Sequence, residues 1–148
     1  MVLFSLIAIL VAIIDQIIKI FIENNIYGSS IEIIKNVFSF TYLKNYGAAW
    51  GILANNNWVL EIVTPVLILT IMYYLYKSKC GKYEMVIGGL VIGGAVGNYI
   101  DRLFRGYVVD YIDFKVWPIF NFADVCIVIG CILFSIRLCI KKDNKNDE

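Results

Sequence analysis

The sequence predicts an all-α membrane protein with a small β element: four transmembrane helices and a small antiparallel sheet resting on the outer membrane surface. The 148 residues are 60% hydrophobic and have a mean hydropathy of +0.76, and a soluble domain of this length would leave much of that apolar surface in water. Four stretches approach the roughly 20 apolar residues that a spanning helix needs. Between the first two stretches lies a segment with strand-like alternation.

We place the four helices at about residues 2–22, 58–76, 85–103 and 119–140. They occupy more than half of the chain, so residues 1–148 are expected to form a single membrane domain. The first stretch resembles a signal peptide in length, but it has no basic n-region and no small-residue cleavage site. We therefore expect a retained helix.

The outer segment, residues 23–57, is too long for a plain connection. Residues 38–42 alternate apolar and polar side chains with a period of two, which is typical of a strand. With residues 31–33 as a partner and a turn at 35–36, a small antiparallel sheet is expected. The asparagines at 55–57 are expected to cap the second helix.

The orientation follows from the basic residues. Lysines gather in the loop 77–84, and further cations follow Arg137 in the last helix and in the tail 141–148, which we expect to be a solvated charge run. Positive residues favour the cytoplasmic side. Both termini are then cytoplasmic, and the segment 23–57 and the loop 105–118 lie outside.

Composition excludes several function classes. The net charge of +1 disfavours nucleic acid, which requires a basic face. The absence of histidine removes Ser-His-Asp and Cys-His mechanisms and the commonest metal ligand. No two of the four cysteines have the spacing of a zinc site. We therefore expect no metal and no cofactor, and any hydrolysis must rest on carboxylates, lysine or a hydroxyl.

The third helix carries small residues at a spacing of four, at Gly89, Gly93 and Gly97. Glycines in this pattern let another helix approach closely. A nucleotide-binding loop is disfavoured, because such a loop follows a strand and these glycines lie inside one apolar span.

Charged side chains inside a membrane are costly and usually paired. Asp15 and Lys19 stand four residues apart on the first helix and are expected to form an ion pair. Asp101 stands four residues before Arg105, with Asn98 one turn back on the same face. We expect these residues to brace the bundle and support a site, with direct participation in the chemistry as the alternative.

Asp110 and Asp124 differ, because neither has Lys or Arg at helical-neighbour spacing. We place Asp110 in the outer loop and Asp124 about a turn and a half into the fourth helix, with Asn121 on the same inward face. If the fold joins them in a partly dry site, one is protonated and one ionised. Such a pair can activate water to cut a peptide bond. Alternatively, both merely face water, and spacing does not decide between these interpretations.

Five blocks in order resemble the bacterial lipoprotein signal peptidase family, also called signal peptidase II. They are DQxxK at 15–19, NxGAA at 45–49, GGxxGNxxDR at 93–102, VVD at 108–110 and FNxAD at 120–124.

The resemblance implies an aspartic endopeptidase of the bacterial inner or plasma membrane, with its active site near the outer face. Such enzymes remove the signal peptide from prolipoproteins, cutting just before a cysteine that carries diacylglycerol. The implied partners are therefore the lipidated prolipoprotein, membrane lipid and inhibitors of the globomycin type, and we expect a monomer without a cofactor.

Residue roles follow from the same resemblance. It implies that the catalytic residues are Asp110 and Asp124 and that the substrate- or inhibitor-binding residues are Asn45, Gly47 and Arg102. The residues implied to support the site are Asp15, Lys19, Asn98, Asp101 and Asn121. The segment 46–52 is expected to close over the substrate.

Two other function classes and one other type of protease fit parts of the sequence. A proton- or ion-coupled transporter also carries intramembrane charges, but it predicts internal repeats and paired helix breaks, which the sequence lacks. An inert helix-packing scaffold would explain the glycines and leave the acidic residues unexplained. A presenilin-type protease is disfavoured, because its Gly-x-Gly-Asp signature is absent.

Overall fold

The computed structural model describes residues 1–47, 57–77 and 81–146, and in these ranges it contains four long helices and three strands. In chain order they are α1 (Val2–Ile26), β1 (Ser30–Ile34), β2 (Phe38–Asn45), α2 (Asn57–Lys77), α3 (Lys82–Arg105), β3 (Val108–Asp113) and α4 (Phe122–Asn146). All four helices are long and apolar enough to cross a membrane. The predicted fold class is confirmed.

Helix α3 lies at the centre of the bundle and packs against each of the other three helices. Its glycines make this possible. A Cβ atom added to Gly93 would lie 2.7 Å from the Ala8 carbonyl oxygen in α1, and one added to Gly94 would lie 2.5 Å from the Ala123 carbonyl oxygen in α4. The predicted close helix approach therefore occurs on two faces of α3.

Helix α4 starts later and ends later than expected. It begins at Phe122, so Asp124 lies in its first turn and not a turn and a half inside it. The reason is local, because the Asn121 side chain accepts a hydrogen bond from the Asp124 amide at 3.0 Å and so caps the helix. At the other end, the backbone stays helical to Asn146, where we expected a solvated tail.

The sheet has three antiparallel strands in the order β1-β2-β3. The first two match the predicted hairpin, but residues 105–118 were expected to be a loop and contain β3, which carries Asp110. The strand escaped prediction because most of its side chains are buried on both faces, which removes the alternation that marks a half-buried strand. Pairing of Leu43 with Asp110 and of Asn45 with Val108 sets its register.

A compact apolar cluster joins the sheet to the helices. It contains Ile22 and Ile26 from the end of α1, Tyr42 from β2, and Val109 and Tyr111 from β3. Val109 is fully buried. Because Val109 and Tyr111 flank Asp110, packing against α1 also fixes the height of that aspartate above the helices.

The opposite end of the bundle holds the N-terminus. The Met1 amino group lies 3.5 Å from the Met85 sulfur at the start of α3, and Arg137 near the end of α4 pairs with Glu84 at 3.2 Å. The N-terminus, the start of α3 and the last turns of α4 thus share one end, and the sheet lies at the other. The predicted asparagine cap at 55–57 and positions 48–52 of the predicted closing segment lie outside the described backbone or side chains.

We expect Gly93→Ala to lower the free energy of unfolding by about 1–3 kcal/mol, because the new methyl group would collide with the α1 backbone. Thermal unfolding in detergent measures this. Gly81→Ala is the matched control, since its methyl group meets only the movable end of the Glu84 side chain at 3.0 Å. Equal melting temperatures for the two variants would contradict the close packing of α1 on α3.

Candidate active site

Asp110 and Asp124 reach the site from different elements, β3 and the first turn of α4. Asn121 connects them: its side-chain NH₂ donates to Asp110 Oδ1 at 2.6 Å, and its backbone N–H donates to Asp124 Oδ2 at 3.2 Å. The two aspartates that the sequence singled out are therefore brought together across one asparagine. We refer to them as the aspartate pair.

Two further asparagines donate to the pair. The Asn45 NH₂ lies 2.8 Å from Asp110 Oδ2, and the Asn98 NH₂ lies 2.8 Å from Asp124 Oδ1. The Gly47 amide in turn donates to Asn45 Oδ1 at 2.9 Å. Asn45 and Gly47, predicted to bind substrate, thus lie beside Asp110, and the predicted support residue Asn98 touches Asp124 directly.

The two carboxyl groups differ in burial. Asp110 is 1% exposed, whereas Asp124 is half-buried. Burial raises the pKa of Asp110 from 3.8 to about 7; the neighbouring Asp124 charge acts in the same direction, and the hydrogen bonds from Asn45 and Asn121 act against it. Near neutral pH the Asp110 carboxyl is therefore close to half protonated, which suits one member of an acid–base pair.

The pair opens into a cavity of about 960 Å³. Asn45, Asn98, Arg102 and both aspartates form its polar end, and the Arg102 guanidinium interacts electrostatically with the two carboxylates. Most of the remaining wall is apolar and includes Trp117, Pro118, Ile119, Val125, Val128 and Ile129. An extended peptide or an acyl chain fits such a surface.

Beneath the cavity lies a buried ionic network centred on Lys19. Its ammonium contacts Asp15 at 2.8 Å and Asp101 at 2.9 Å, and all three side chains are fully buried. The predicted pairing of Asp15 with Lys19 is present, as is that of Asp101 with Arg105, and Lys19 additionally links the two carboxylates.

Each carboxylate of this network also holds the backbone next to the aspartate pair. Asp101 accepts the amide of Val109 at 3.1 Å, and Asp15 accepts the amide of Ala123 at 3.1 Å. Val109 and Ala123 immediately precede Asp110 and Asp124. The network therefore fixes the chain directly before both members of the pair.

A family model described as signal peptidase (SPase) II matches residues 7–140. The lipoprotein signal peptidase of Halothermothrix orenii is 42% identical over 134 residues, which covers 90% of this chain and 92% of that protein.

The chain belongs to the signal peptidase II family. It is therefore a protease that removes signal peptides, which settles the question left open between peptidase, transporter and scaffold.

Two solved bacterial membrane enzymes, determined by the in meso method at 2.3 Å and 1.9 Å, share the fold of this signal peptidase II family member. The first is 37% identical with a TM-score of 0.87, and the similarity covers 97% of this chain and 91% of that chain. The second is 38% identical with a TM-score of 0.81, and 90% of each chain is covered.

Part of the polar network of this family member was not predicted from the sequence. Gln16 donates to Asp101 Oδ1 and to the Gly97 carbonyl, each at 3.0 Å, and Glu23 pairs with Arg105 at 3.2 Å. The Tyr107 hydroxyl also donates to Glu23 at 3.1 Å. Gln16 lies inside the DQxxK block, so the block could have identified it as part of the network. Nothing in the sequence near Glu23 indicates that its partners are Arg105 and Tyr107.

Asp15→Asn should lower the free energy of unfolding by about 1–3 kcal/mol, because it removes one carboxylate from a fully buried ammonium while Asp101 remains. The cleavage rate should fall less than it does in variants of the aspartate pair. Thermal unfolding and a cleavage assay on the same preparation measure both effects, and an unchanged melting temperature would count against the bracing role of Asp15.

The pKa of Asp110 predicts how stability depends on pH. Between pH 5 and 8 the folded protein binds more protons at Asp110 than the unfolded chain does, because the folded pKa of about 7 exceeds the ordinary value of 3.8. The wild type should therefore lose several degrees of melting temperature relative to Asp110→Asn as the pH rises over this interval.

Asp113→Asn is the matched control on the same strand. The hydrogen bond from Lys115 lowers the pKa of Asp113, so its contribution is lost only as the pH falls below the ordinary range of a carboxyl group. The difference in melting temperature between Asp113→Asn and the wild type should therefore stay constant between pH 5 and 8. A constant difference for Asp110→Asn as well would mean that Asp110 ionises normally.

Proposed function

We propose that Asp110 and Asp124 are the catalytic pair of an aspartic endopeptidase. Family membership gives the reaction, which is removal of the signal peptide from prolipoproteins. The observation that carries the proposal is the convergence of three asparagine NH₂ groups on two carboxylates at the polar end of a largely apolar cavity.

The two carboxyl groups take different roles. Asp124 lies in the first turn of α4, where the positive end of the helix dipole favours a negative charge, and it accepts N–H groups from Asn98 and Asn121. It therefore acts as the base that takes a proton from water. Asp110, with its pKa near 7, holds the proton that polarises the peptide carbonyl. As the water oxygen bonds to the carbonyl carbon, Asp110 gives its proton to the carbonyl oxygen and a diol forms. Asp124 then passes the proton taken from water to the amide nitrogen, and Asp110 recovers its own proton as the C–N bond breaks. The products are a carboxyl end and an amine end, and no covalent enzyme intermediate forms.

The substrate is a prolipoprotein whose cysteine carries diacylglycerol. Its apolar signal segment and its acyl chains both reside in lipid, and the apolar wall of the cavity on α4 is continuous with the membrane-spanning part of that helix. Asn45, Gly47 and Arg102 stand at the polar end, where they can hold the peptide backbone next to the scissile bond.

The active site then faces the outer side of the membrane, and both termini are cytoplasmic. Two features support this orientation: the loop between α2 and α3 carries the basic residues, and Met1 lies at the same end of the bundle as the start of α3. The sheet rests on the outer surface, and a monomer suffices, because the aspartate pair and its donors come from one chain.

Asp110→Asn and Asp124→Asn should each lower the cleavage rate by about 10²–10⁴-fold or more, because each removes one proton-transfer group. A gel-shift assay on a diacylglyceryl-modified prolipoprotein measures this, with melting temperature as the check on folding. Asp113→Asn, a carboxylate of the same strand, should retain the wild-type rate within about threefold. Full activity of either pair variant would refute the catalytic assignment.

The same assay tests the inhibitor class. Globomycin should block cleavage by the wild type and should raise the melting temperature of the folded pair variants if their cavity is intact. Cleavage that globomycin leaves untouched would argue against binding at this cavity.

A further inference from the structure

The three asparagines around the aspartate pair have fixed amide orientations. An asparagine side chain carries an acceptor oxygen and a donor NH₂ group, and a donor-only neighbour must face the oxygen. The Gly47 amide faces Asn45 Oδ1 at 2.9 Å, and the Asp124 amide faces Asn121 Oδ1 at 3.0 Å. In both cases the NH₂ group is thereby turned toward a carboxylate.

Asn98 is fixed in a different way, because its oxygen faces a side chain and not a backbone amide. The Lys19 ammonium donates to Asn98 Oδ1 at 2.9 Å, and an ammonium has no acceptor atom. Asn121 donates one N–H of its NH₂ group to the same oxygen at 3.1 Å and the other to Asp110 at 2.6 Å. The contact from Lys19 is shorter and charge-assisted, so it is the stronger of the two that hold the Asn98 oxygen in place.

A rotated Asn98 amide would harm the pair in two ways. Its NH₂ group would meet the Lys19 ammonium, and its carbonyl oxygen would face Asp124 Oδ1, where the donor now lies at 2.8 Å. An oxygen in that place repels an ionised carboxylate, so the rotation would discourage the negative charge that a base requires.

We propose that Lys19 is a positioning residue of the peptidase reaction, which holds the Asn98 amide so that its NH₂ group donates to Asp124. The proposal rests on the function proposed above and extends it beyond bracing of the fold. Lys19 acts through Asn98, and its own position is fixed by Asp15 at 2.8 Å and Asp101 at 2.9 Å.

A double-mutant cycle separates this role from bracing. The first change is Asp15→Asn together with Lys19→Met, which removes a buried ion pair as a unit and leaves Asp101 paired with Arg105. The second change is Asn98→Ala. Asp15→Asn alone is the matched control, because it removes the carboxylate and leaves the lysine donor on Asn98.

The paired change should lower kcat by about 10- to 100-fold in the presence of Asn98, the worth of a charge-assisted hydrogen bond. KM for the lipidated prolipoprotein should change less than about threefold. Asp15→Asn alone should lower kcat by a smaller factor. The acidic limb of the pH–activity profile should move to higher pH only when Asp15→Asn and Lys19→Met are combined. In the Asn98→Ala background the paired change should lower kcat by less than about threefold.

A loss of kcat that is equally large in the Asn98→Ala background would overturn the proposal, and so would an unchanged kcat in the paired variant. If the paired variant does not give monodisperse protein, Lys19→Arg takes its place, since it keeps a donor-only cation. It should then retain kcat within about threefold, and a loss equal to that of Asn98→Ala would overturn the proposal.

Failure here is distinguishable from failure of the proposed function. Full activity of Asp110→Asn or Asp124→Asn refutes the catalytic pair itself. If Asp110→Asn and Asp124→Asn are inactive but the effects in the double-mutant cycle simply add, the aspartate pair stays assigned as catalytic. Only the positioning role of Lys19 is then refuted.

Discussion

The buried contact of Lys19 with two carboxylates is the interaction on which the rest of the structure depends. A lone ammonium or carboxylate inside the bilayer is strongly unfavourable, so the three charges must stay together. Lys19 and Asp15 belong to α1, and Asp101 belongs to α3. Their pairing therefore sets the rotation of the two helices against each other, and the glycines of α3 allow them to approach closely enough for it.

This ionic network also fixes the position of the aspartate pair. Asp101 accepts the amide just before Asp110, and Asp15 accepts the amide just before Asp124. Because both carboxylates contact the Lys19 ammonium, β3 and α4 are positioned by the same charge although they are remote from it in sequence. Positional precision of this kind is what a water-activating pair needs, since an error of 1 Å in a catalytic group can cost a hundredfold in rate. The charges that hold α1 and α3 together thus also position the aspartate pair.

Much of this was predictable from local sequence. Hydropathy places the four spans because each helix satisfies its own backbone hydrogen bonds in lipid, and the spacing of Asp15 and Lys19 predicts their pairing. Strand β3 was missed, since its buried faces hide the periodicity of a strand, and the start of α4 was misplaced because a single capping asparagine decides it. Both errors fall on the segments that carry the aspartate pair.

The sequence by itself determined the membrane class, the helix count, the charged residues that need partners and, through its motif blocks, the family. Only the tertiary structure decided which groups meet: that Lys19 serves two carboxylates and Asn98, and that Asn121 bridges Asp110 and Asp124. The physical reason is range. Hydropathy and helical spacing act between neighbours in the chain, whereas these hydrogen bonds join residues brought together by the packing of α1, α3, α4 and the sheet.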